Sequence, residues 1–181
     1  MRCFIAFPIS EEIKKELITL QHEINEQNPN LPIKWVEPEN MHVTVEFLGD
    51  LELDQVEKVK TILTQAIPEH HAFEYNLEKL TAFPDLNNPR VIVIKVKSSK
   101  QQGHLLHQAV WQQLNIQHLI KNKQPWKAHL TIGRLKGEGQ LDLENIKLSN
   151  ITWLVNQVNF YSSELTPQGP VYSIIEKYYL N

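Results

Sequence analysis

The chain has 181 residues, of which 41% are hydrophobic and 22% are charged, so its length and composition are those of one globular domain or of two small lobes packed together. A net charge of −3 argues against a broad electrostatic surface for nucleic acid, and any phosphate binding must therefore be local. The single cysteine, Cys3, excludes an internal disulfide, and the absence of an 18-residue apolar run or a secretory signal predicts a cytoplasmic protein without a membrane span.

Hydrophobic periodicity predicts two helices in the first half of the chain, over residues 11–27 and 54–67. Ser10 is a favourable N-cap for the first helix, and the acidic residues Glu11 and Glu12 follow it in the first turn. Alternating or continuous apolar segments predict strands in the same half over 2–9, 34–36, 41–48, 72–80 and 90–96.

The second half has a similar mixture of elements. We predict a helix over 100–114 and a short helix over 142–148, with strands beginning at His129 and spanning 152–158, 160–165 and 171–179. Because helices and strands follow one another without regular βαβ alternation, the fold class predicted is α+β with largely antiparallel sheets. No linker or low-complexity segment interrupts the chain, and we expect residues 1–181 to form a single domain.

One short signature occurs twice, as His42-Val43-Thr44-Val45 and as His129-Leu130-Thr131-Ile132. The flanks extend the match, since HVTVEFLGD and HLTIGRLKG share His, Thr and Leu at equivalent places. None of the other histidines has a threonine two residues later. A copy in each half predicts a duplicated architecture that brings two histidines together in one cleft.

Strand geometry explains why the signature alternates. Successive side chains of a strand point to opposite faces, so His42 and Thr44 share one face while Val43 and Val45 share the other. The aliphatic face is expected to pack under a helix, and the polar face to line a groove. The alternative for either copy alone is a half-buried strand whose polar face meets water.

Three further side chains fit phosphate binding. The hydroxyls of Thr44 and Thr131 are donors for non-bridging phosphate oxygens, although threonine is also an ordinary strand-forming residue. Arg134 lies five residues after His129, where the first copy has Phe47, and its guanidinium would stabilise phosphate charge. The alternative for Arg134 is a solvated arginine at the end of a strand.

Other candidates have weaker support. His104 and His107 have i, i+3 spacing on a predicted helix, but two ligands without a third predict surface histidines rather than a metal site. Basic residues near the signatures are candidates for lining the groove or for ordinary surface charge: Lys34, Arg90 and Lys127. Aromatic residues near them are candidates for stacking on a base or for packing: Trp35, Phe47 and Trp126.

Several segments together with the two signatures resemble the two-histidine (2H) phosphoesterase superfamily, and within it the RNA 2′,3′-cyclic phosphodiesterases, also called 2′-5′ RNA ligases. The segments that carry the resemblance are Arg2-Cys3-Phe4-Ile5-Ala6-Phe7, Trp35-Val36-Glu37-Pro38-Glu39-Asn40-Met41-His42, Phe47-Leu48-Gly49, Phe83-Pro84, Pro89-Arg90-Val91, Ser163-Glu164-Leu165 and Gly169-Pro170-Val171-Tyr172. The resemblance therefore covers nearly the whole chain.

The resemblance implies a bilobal, duplicated fold with pseudo-twofold symmetry, in which two mostly antiparallel sheets line a central groove and the helices lie outside. It implies hydrolysis of RNA ends or nucleotides that carry a 2′,3′-cyclic phosphate, giving a 2′-phosphate without a metal or other cofactor. His42 would donate a proton to the departing 3′-oxygen, and His129 would accept one from water. We expect a monomer without an obligatory protein partner.

The chemistry of this reaction requires two proton-transfer groups. Water enters on one side of phosphorus while a ribose oxygen leaves on the other, and histidine suits both roles because its ordinary pKa of about 6.5 lies near neutrality. The residues alone do not decide which histidine is acid and which is base. Two other functions stay open at this point: 2′-5′ ligation by the reverse reaction, and a non-catalytic module that binds nucleotides or RNA.

Overall fold

Nine strands and three helices make up the computed structural model, which describes residues 1–120, 125–167 and 169–181. The strands are β1 (Arg2–Pro8), β2 (Ile33–Trp35), β3 (His42–Asp50), β4 (Phe73–Phe83), β5 (Val91–Ser98), β6 (His129–Leu135), β7 (Thr152–Val155), β8 (Gln157–Thr166) and β9 (Gly169–Tyr179). The helices are α1 (Glu11–Gln27), α2 (Leu53–Ala66) and α3 (Gln102–Ile116). Short 3₁₀ turns occupy Pro38–Asn40, Ile67–Glu69 and Ser99–Gln101.

All the strands join one curled antiparallel sheet, in the order β7-β4-β5-β6-β3-β1-β8-β9, with β2 also paired to β6. The two signatures begin the central strands β3 and β6. The last two strands, β8 and β9, return to the half that contains β1 and β3. Each half of the sheet therefore draws on segments that are distant in the sequence.

The two halves meet at a narrow seam. In the described residues, β3 and β6 are paired through a single couple, Val43 with Leu130. Farther along β6, the short strand β2 takes over as the partner, with Lys34 opposite Arg134. The central strands consequently separate after their one shared couple, which leaves room for a cleft between the halves.

The aliphatic sides of both signatures are buried in the core, as the alternation predicts. Val43, Val45, Leu130 and Ile132 are each at most 1% exposed. Helix α1 contacts β6, and α3 contacts β3 and β5, so helices cover this side of the sheet. None of the helices in the described part of the chain is long and apolar enough to span a bilayer.

Helix α1 spans the predicted residues because its signals are local. The hydroxyl of Ser10 accepts a hydrogen bond from the backbone N–H of Ile13, at 3.3 Å, and thereby caps the first turn. Ile13, Leu17 and Ile24 lie on its buried face at the predicted spacing. The other two long helices begin within two residues of their predicted starts.

The predicted fold class, α+β with antiparallel strands and a few helices, is confirmed. The two expected sheets are joined into one at the Val43–Leu130 couple. The duplication and the pseudo-twofold axis stay predictions. The strand expected over 152–158 is divided at Asn156, where the chain leaves β4 and crosses to pair with β1.

The short helix predicted over 142–148 is wrong, because this segment is an irregular loop. Tertiary hydrogen bonds determine its path. The buried amide of Asn28 donates to the carbonyl of Asp142 and accepts from its N–H, both at 2.8 Å. The carboxylate of Asp142 accepts from the N–H of Glu144, at 2.9 Å, and this local turn replaces the helical ladder.

Asn28→Ala should lower the free energy of unfolding by about 1–2 kcal/mol, because it removes the side-chain hydrogen bonds to the N–H and the carbonyl of Asp142 and one of the two bonds that the carbonyl of Ile24 accepts. Urea denaturation followed by circular dichroism measures this loss. The matched control is Asn30→Ala, which alters an exposed residue of the same loop and should stay within about 0.5 kcal/mol of the parent. Equal effects of the two substitutions would contradict the role given to Asn28.

Candidate active site

The polar faces of both signatures line one cleft of about 520 Å³ between the two halves of the sheet. All five residues predicted from the sequence are among those that line it: His42, Thr44, His129, Thr131 and Arg134. The sequence prediction that the two histidines meet in one cleft therefore agrees with their positions.

The strand register explains how the four signature side chains come together. In an antiparallel ladder, the pairing of Val43 with Leu130 places His42 opposite Thr131 and Thr44 opposite His129. Since Val43 and Leu130 point into the core, these four residues point into the cleft. The two histidines are then diagonal neighbours across this couple, one on each strand.

A bulge at the same place in both strands brings one further side chain from each strand to the cleft. Val45 in β3 and Ile132 in β6, each three residues after its histidine, are left out of the pairing with β1 and β5. The extra residue shifts the alternation by one, so Phe47 and Arg134 return to the cleft face. Strict alternation would have directed Arg134 away from His129.

The backbone holds each imidazole ring in the same way. Nδ1 of His42 lies 2.8 Å from the carbonyl oxygen of Asn40, and Nδ1 of His129 lies 2.6 Å from that of Lys127. A carbonyl oxygen only accepts, so each Nδ1 carries the proton and donates it. In the neutral rings Nε2 is then unprotonated and available for proton transfer.

Thr44 adds a second contact to His42. Its Oγ1 lies 3.1 Å from Nε2 of His42, so the hydroxyl donates to the unprotonated nitrogen of the neutral ring. The Nε2 edge of the His42 ring therefore faces the hydroxyl of Thr44, which lies on the same face of the strand. A ligand oxygen that enters the cleft would compete for the same two groups.

The surroundings of His42 are largely aromatic. Its ring lies 4.9 Å from that of Phe4 and 5.5 Å from that of Tyr172, measured between centroids. Burial lowers the pKa of His42 to about 4, the hydrogen bond to Asn40 opposes this shift, and electrostatic interactions with His129 and Arg134 add to it. His42 is therefore neutral at pH 7 in the ligand-free protein.

His129 has a different setting. Its ring meets that of Phe83 edge-on at 5.4 Å, and the ammonium group of Lys127 lies 6.0 Å from the centre of the same Phe83 ring. Both histidines thus direct Nδ1 to a backbone carbonyl, but their neighbours differ. Several aromatic rings surround His42, whereas His129 contacts the ring of Phe83.

The weaker candidates divide between the cleft and its surroundings. Lys34, Trp35 and Phe47 line the cleft, and Phe47 is 55% exposed there. The residues that line it do not include Arg90, Lys127 or Trp126. The prediction that His107 lies on the surface is wrong, because this side chain is 9% exposed and packs against Trp126. The reason is that α3 lies across the back of β3.

Some cleft residues were not proposed as site residues from the sequence. Tyr172 reaches the cleft because β9 returns to the first half of the sheet, and Asn40 contributes its backbone carbonyl to His42. The amide of Asn40 also donates to the carbonyl of Pro170, at 3.2 Å, joining the start of β3 to β9. Both residues lie in segments quoted above for the family resemblance, which was the one signal that could have indicated them.

No group of three or more His, Cys, Asp or Glu side chains with the spacing of a metal site occurs in residues 1–120, 125–167 and 169–181.

Comparison with known proteins identifies the family. The model of the LigT-like phosphoesterases matches residues 7–93, which include the first signature. An RNA 2′,3′-cyclic phosphodiesterase of Aquifex aeolicus is 30% identical over 99% of this chain and 97% of its own length. The chain belongs to this family. An Archaeoglobus fulgidus relative of the same name is also 30% identical, over 95% of this chain and 96% of its own length.

Solved structures share the fold of this 2H phosphoesterase. A Thermus thermophilus protein matches with a TM-score of 0.85 and 25% identity, covering 99% of this chain and 97% of its own. Escherichia coli LigT, solved in complex with 3′-AMP, matches with a TM-score of 0.80 at 17% identity, covering 99% and 97% of the two chains. At that identity, the second match is a likeness of fold.

The low pKa of His42 gives stability a pH dependence. The unfolded chain binds a proton at His42 near pH 6.5, whereas the folded protein does so near pH 4, so acidification between these values favours unfolding. Relative to His42→Gln, the parent should lose about 3 kcal/mol of unfolding free energy as the pH falls from 7 to 4. Urea titrations across this range measure the difference. The exposed control, His22→Gln, should follow the parent, and parallel curves for His42→Gln and the parent would contradict the assignment.

Proposed function

We propose that this protein hydrolyses RNA 2′,3′-cyclic phosphate ends to 2′-phosphates by general acid–base catalysis with His42 and His129, without a metal. A water oxygen forms a bond to phosphorus and the bond from phosphorus to the 3′-oxygen breaks. One imidazole takes the proton of the water and the other gives a proton to the departing oxygen. The five-membered cyclic diester is strained, so its opening needs less assistance than that of an open diester.

The paired placement of the imidazoles is the observation that carries this proposal. Both rings donate Nδ1–H to the carbonyl two residues earlier, and both therefore keep Nε2 for proton transfer on the side away from the backbone. Their diagonal relation across the β3–β6 couple suits a phosphorus centre between them, with entry and departure on opposite sides. A site that only bound phosphate would require donors alone.

We assign the donor role to His42 and the acceptor role to His129, as the family resemblance implies. Because the pKa of His42 is about 4 in the ligand-free cleft, this role requires the negative charge of the bound phosphate to favour its protonated form. Substrate binding then brings the proton to the ring that must deliver it. The protonated ring can donate Nε2–H to the 3′-oxygen as that bond breaks.

The remaining polar groups stabilise charge on the phosphate. The hydroxyls of Thr44 and Thr131 donate to the non-bridging oxygens, and Arg134 supplies a cationic fork at the same face of the cleft. Phe47, which occupies the place of Arg134 in the other strand, offers an exposed aromatic face to a base. We propose that the substrates are RNA ends or nucleotides with a cyclic phosphate.

Both halves of the sheet contribute to this cleft, so we propose that residues 1–181 act as a single catalytic unit and as a monomer. We further propose a cytoplasmic location, consistent with the single, buried thiol of Cys3.

The central test uses an oligoribonucleotide that ends in a 2′,3′-cyclic phosphate, incubated with the protein in EDTA. We expect a 2′-phosphate product and a bell-shaped pH dependence of kcat, because one histidine must be protonated and the other neutral. His42→Ala and His129→Ala should each lower kcat by about 10²–10⁴-fold, with substrate binding affected less. Chromatographic separation of 2′- and 3′-phosphate ends gives the readout.

His118→Ala is the matched control, since this exposed histidine does not line the cleft, and it should keep full activity. Loss of activity in EDTA would overturn metal independence. A flat pH profile, or losses of only a few-fold in both histidine variants, would overturn the acid–base assignment.

Arg134→Gln should lower kcat/KM by about 10²–10³-fold, because it removes a charged donor that stabilises the phosphate in the transition state. The control is Arg90→Gln, which removes an exposed arginine that does not line the cleft. Steady-state kinetics at several salt concentrations separate a local effect from general attraction of RNA. Similar losses in both variants would assign Arg134 to nonspecific electrostatics.

A further inference from the structure

Trp126 connects the two signature strands from outside the cleft. Its indole Nε1–H donates to the backbone carbonyl of Thr44, at 2.9 Å, on the strand that carries His42. In the described residues, strand pairing joins β3 and β6 through the couple of Val43 with Leu130, and this bond is an additional link between the two signature segments. Its acceptor belongs to the same threonine whose hydroxyl contacts His42.

The same residue adjoins the group that orients the second histidine. Lys127, the next residue in the chain, provides the carbonyl that accepts the Nδ1–H of His129. Trp126 therefore holds the backbone of Thr44 through its hydrogen bond. It also adjoins Lys127 in the chain, whose carbonyl orients the ring of His129. A shift of the indole would move both together.

A buried pair holds the indole in place. The ring of His107 on α3 stacks on that of Trp126, with centroids 4.5 Å apart and planes inclined by 3°. Nε2 of His107 lies 3.4 Å from the carboxylate of Glu46, and both side chains are nearly inaccessible, at 11% and 9% exposure. Glu46 lies on β3, two residues after Thr44. The contacts that lead from Thr44 through Trp126 and His107 to Glu46 therefore begin and end on β3.

We propose that Trp126 is a positioning residue, held against α3 by His107 and Glu46, that sets the spacing of His42 and His129. The proposal rests on the proposed function, because spacing matters only if both rings act on one phosphorus. Small displacements of reacting groups reduce rates far more than they reduce binding. The network accordingly affects kcat rather than KM.

The first test is Trp126→Phe, which keeps an aromatic ring for His107 but removes the donor to Thr44. We expect kcat on the cyclic-phosphate oligonucleotide to fall about 10–100-fold, with KM within about twofold of the parent. The matched control is Trp153→Phe. Trp153 is a buried tryptophan on β7 whose Nε1 has no hydrogen-bond partner in the described residues, and its replacement should leave kcat within about twofold.

The second test examines the stack. In a Glu46→Gln background, which avoids an unpaired buried carboxylate, His107→Ala should lower kcat as Trp126→Phe does. His107→Phe in the same background should restore most of kcat, because it returns a flat ring to the indole face. An equal loss in the Ala and Phe variants would overturn the role of the stack.

A readout without substrate separates this proposal from the proposed function. The ring Nδ1–H signals of His42 and His129 in proton–nitrogen NMR spectra should both shift in Trp126→Phe and stay unchanged in Trp153→Phe. If both shift while the parent hydrolyses no cyclic phosphate, the proposed activity is wrong and the coupling of the two rings stands. Full kcat in Trp126→Phe, unchanged ring signals, or an equal effect of Trp153→Phe would overturn the positioning role.

Discussion

The cleft depends on one non-local contact, the pairing of Val43 with Leu130 across the middle of the sheet. This couple sets two strands in one register and so places four polar side chains on one face. A slip of one residue in either strand would turn its histidine and threonine toward the helix-covered core and its aliphatic side chains toward the cleft. The burial of those aliphatic residues therefore protects the register, and the core specifies the site as well as the fold.

The two signature strands are alike in backbone form but differ in the side chains they present. Each has its bulge three residues after the histidine. Past the bulge, Glu46 in β3 corresponds to Gly133 in β6. A side chain at Gly133 would come within 3.1 Å of Ile33 and Trp35, so glycine allows β2 to lie against β6. The glutamate instead reaches a histidine of α3. The shared backbone path places both histidine rings in the cleft. The residues that differ place Arg134 and Phe47 in the cleft and bring Glu46 into a buried contact with His107.

Structural features that depend on residues near one another in the chain were predicted well from the sequence. The Ser10 cap and the spacing of Ile13, Leu17 and Ile24 define α1 without reference to the rest of the chain. The alternation around each histidine predicted which side chains face the cleft. What failed depends on distant partners: residues 142–148 form a loop because Asn28 binds their backbone, and His107 is buried because α3 crosses the back of β3. Arg134 lines the cleft, although the bulge that directs it there cannot be read from periodicity.

The path of the last two strands has a consequence for synthesis on the ribosome. β1 is an interior strand whose neighbours are β3 and β8, and β8 is formed by Gln157–Thr166, far later in the chain. A nascent chain must therefore expose one side of β1 until β8 emerges. Such an open strand edge is a template for pairing with other chains, so a prematurely terminated product would combine an incomplete cleft with an aggregation-prone edge. Strands β8 and β9 thus complete the wall that contains Tyr172, and β8 also covers the open edge of β1.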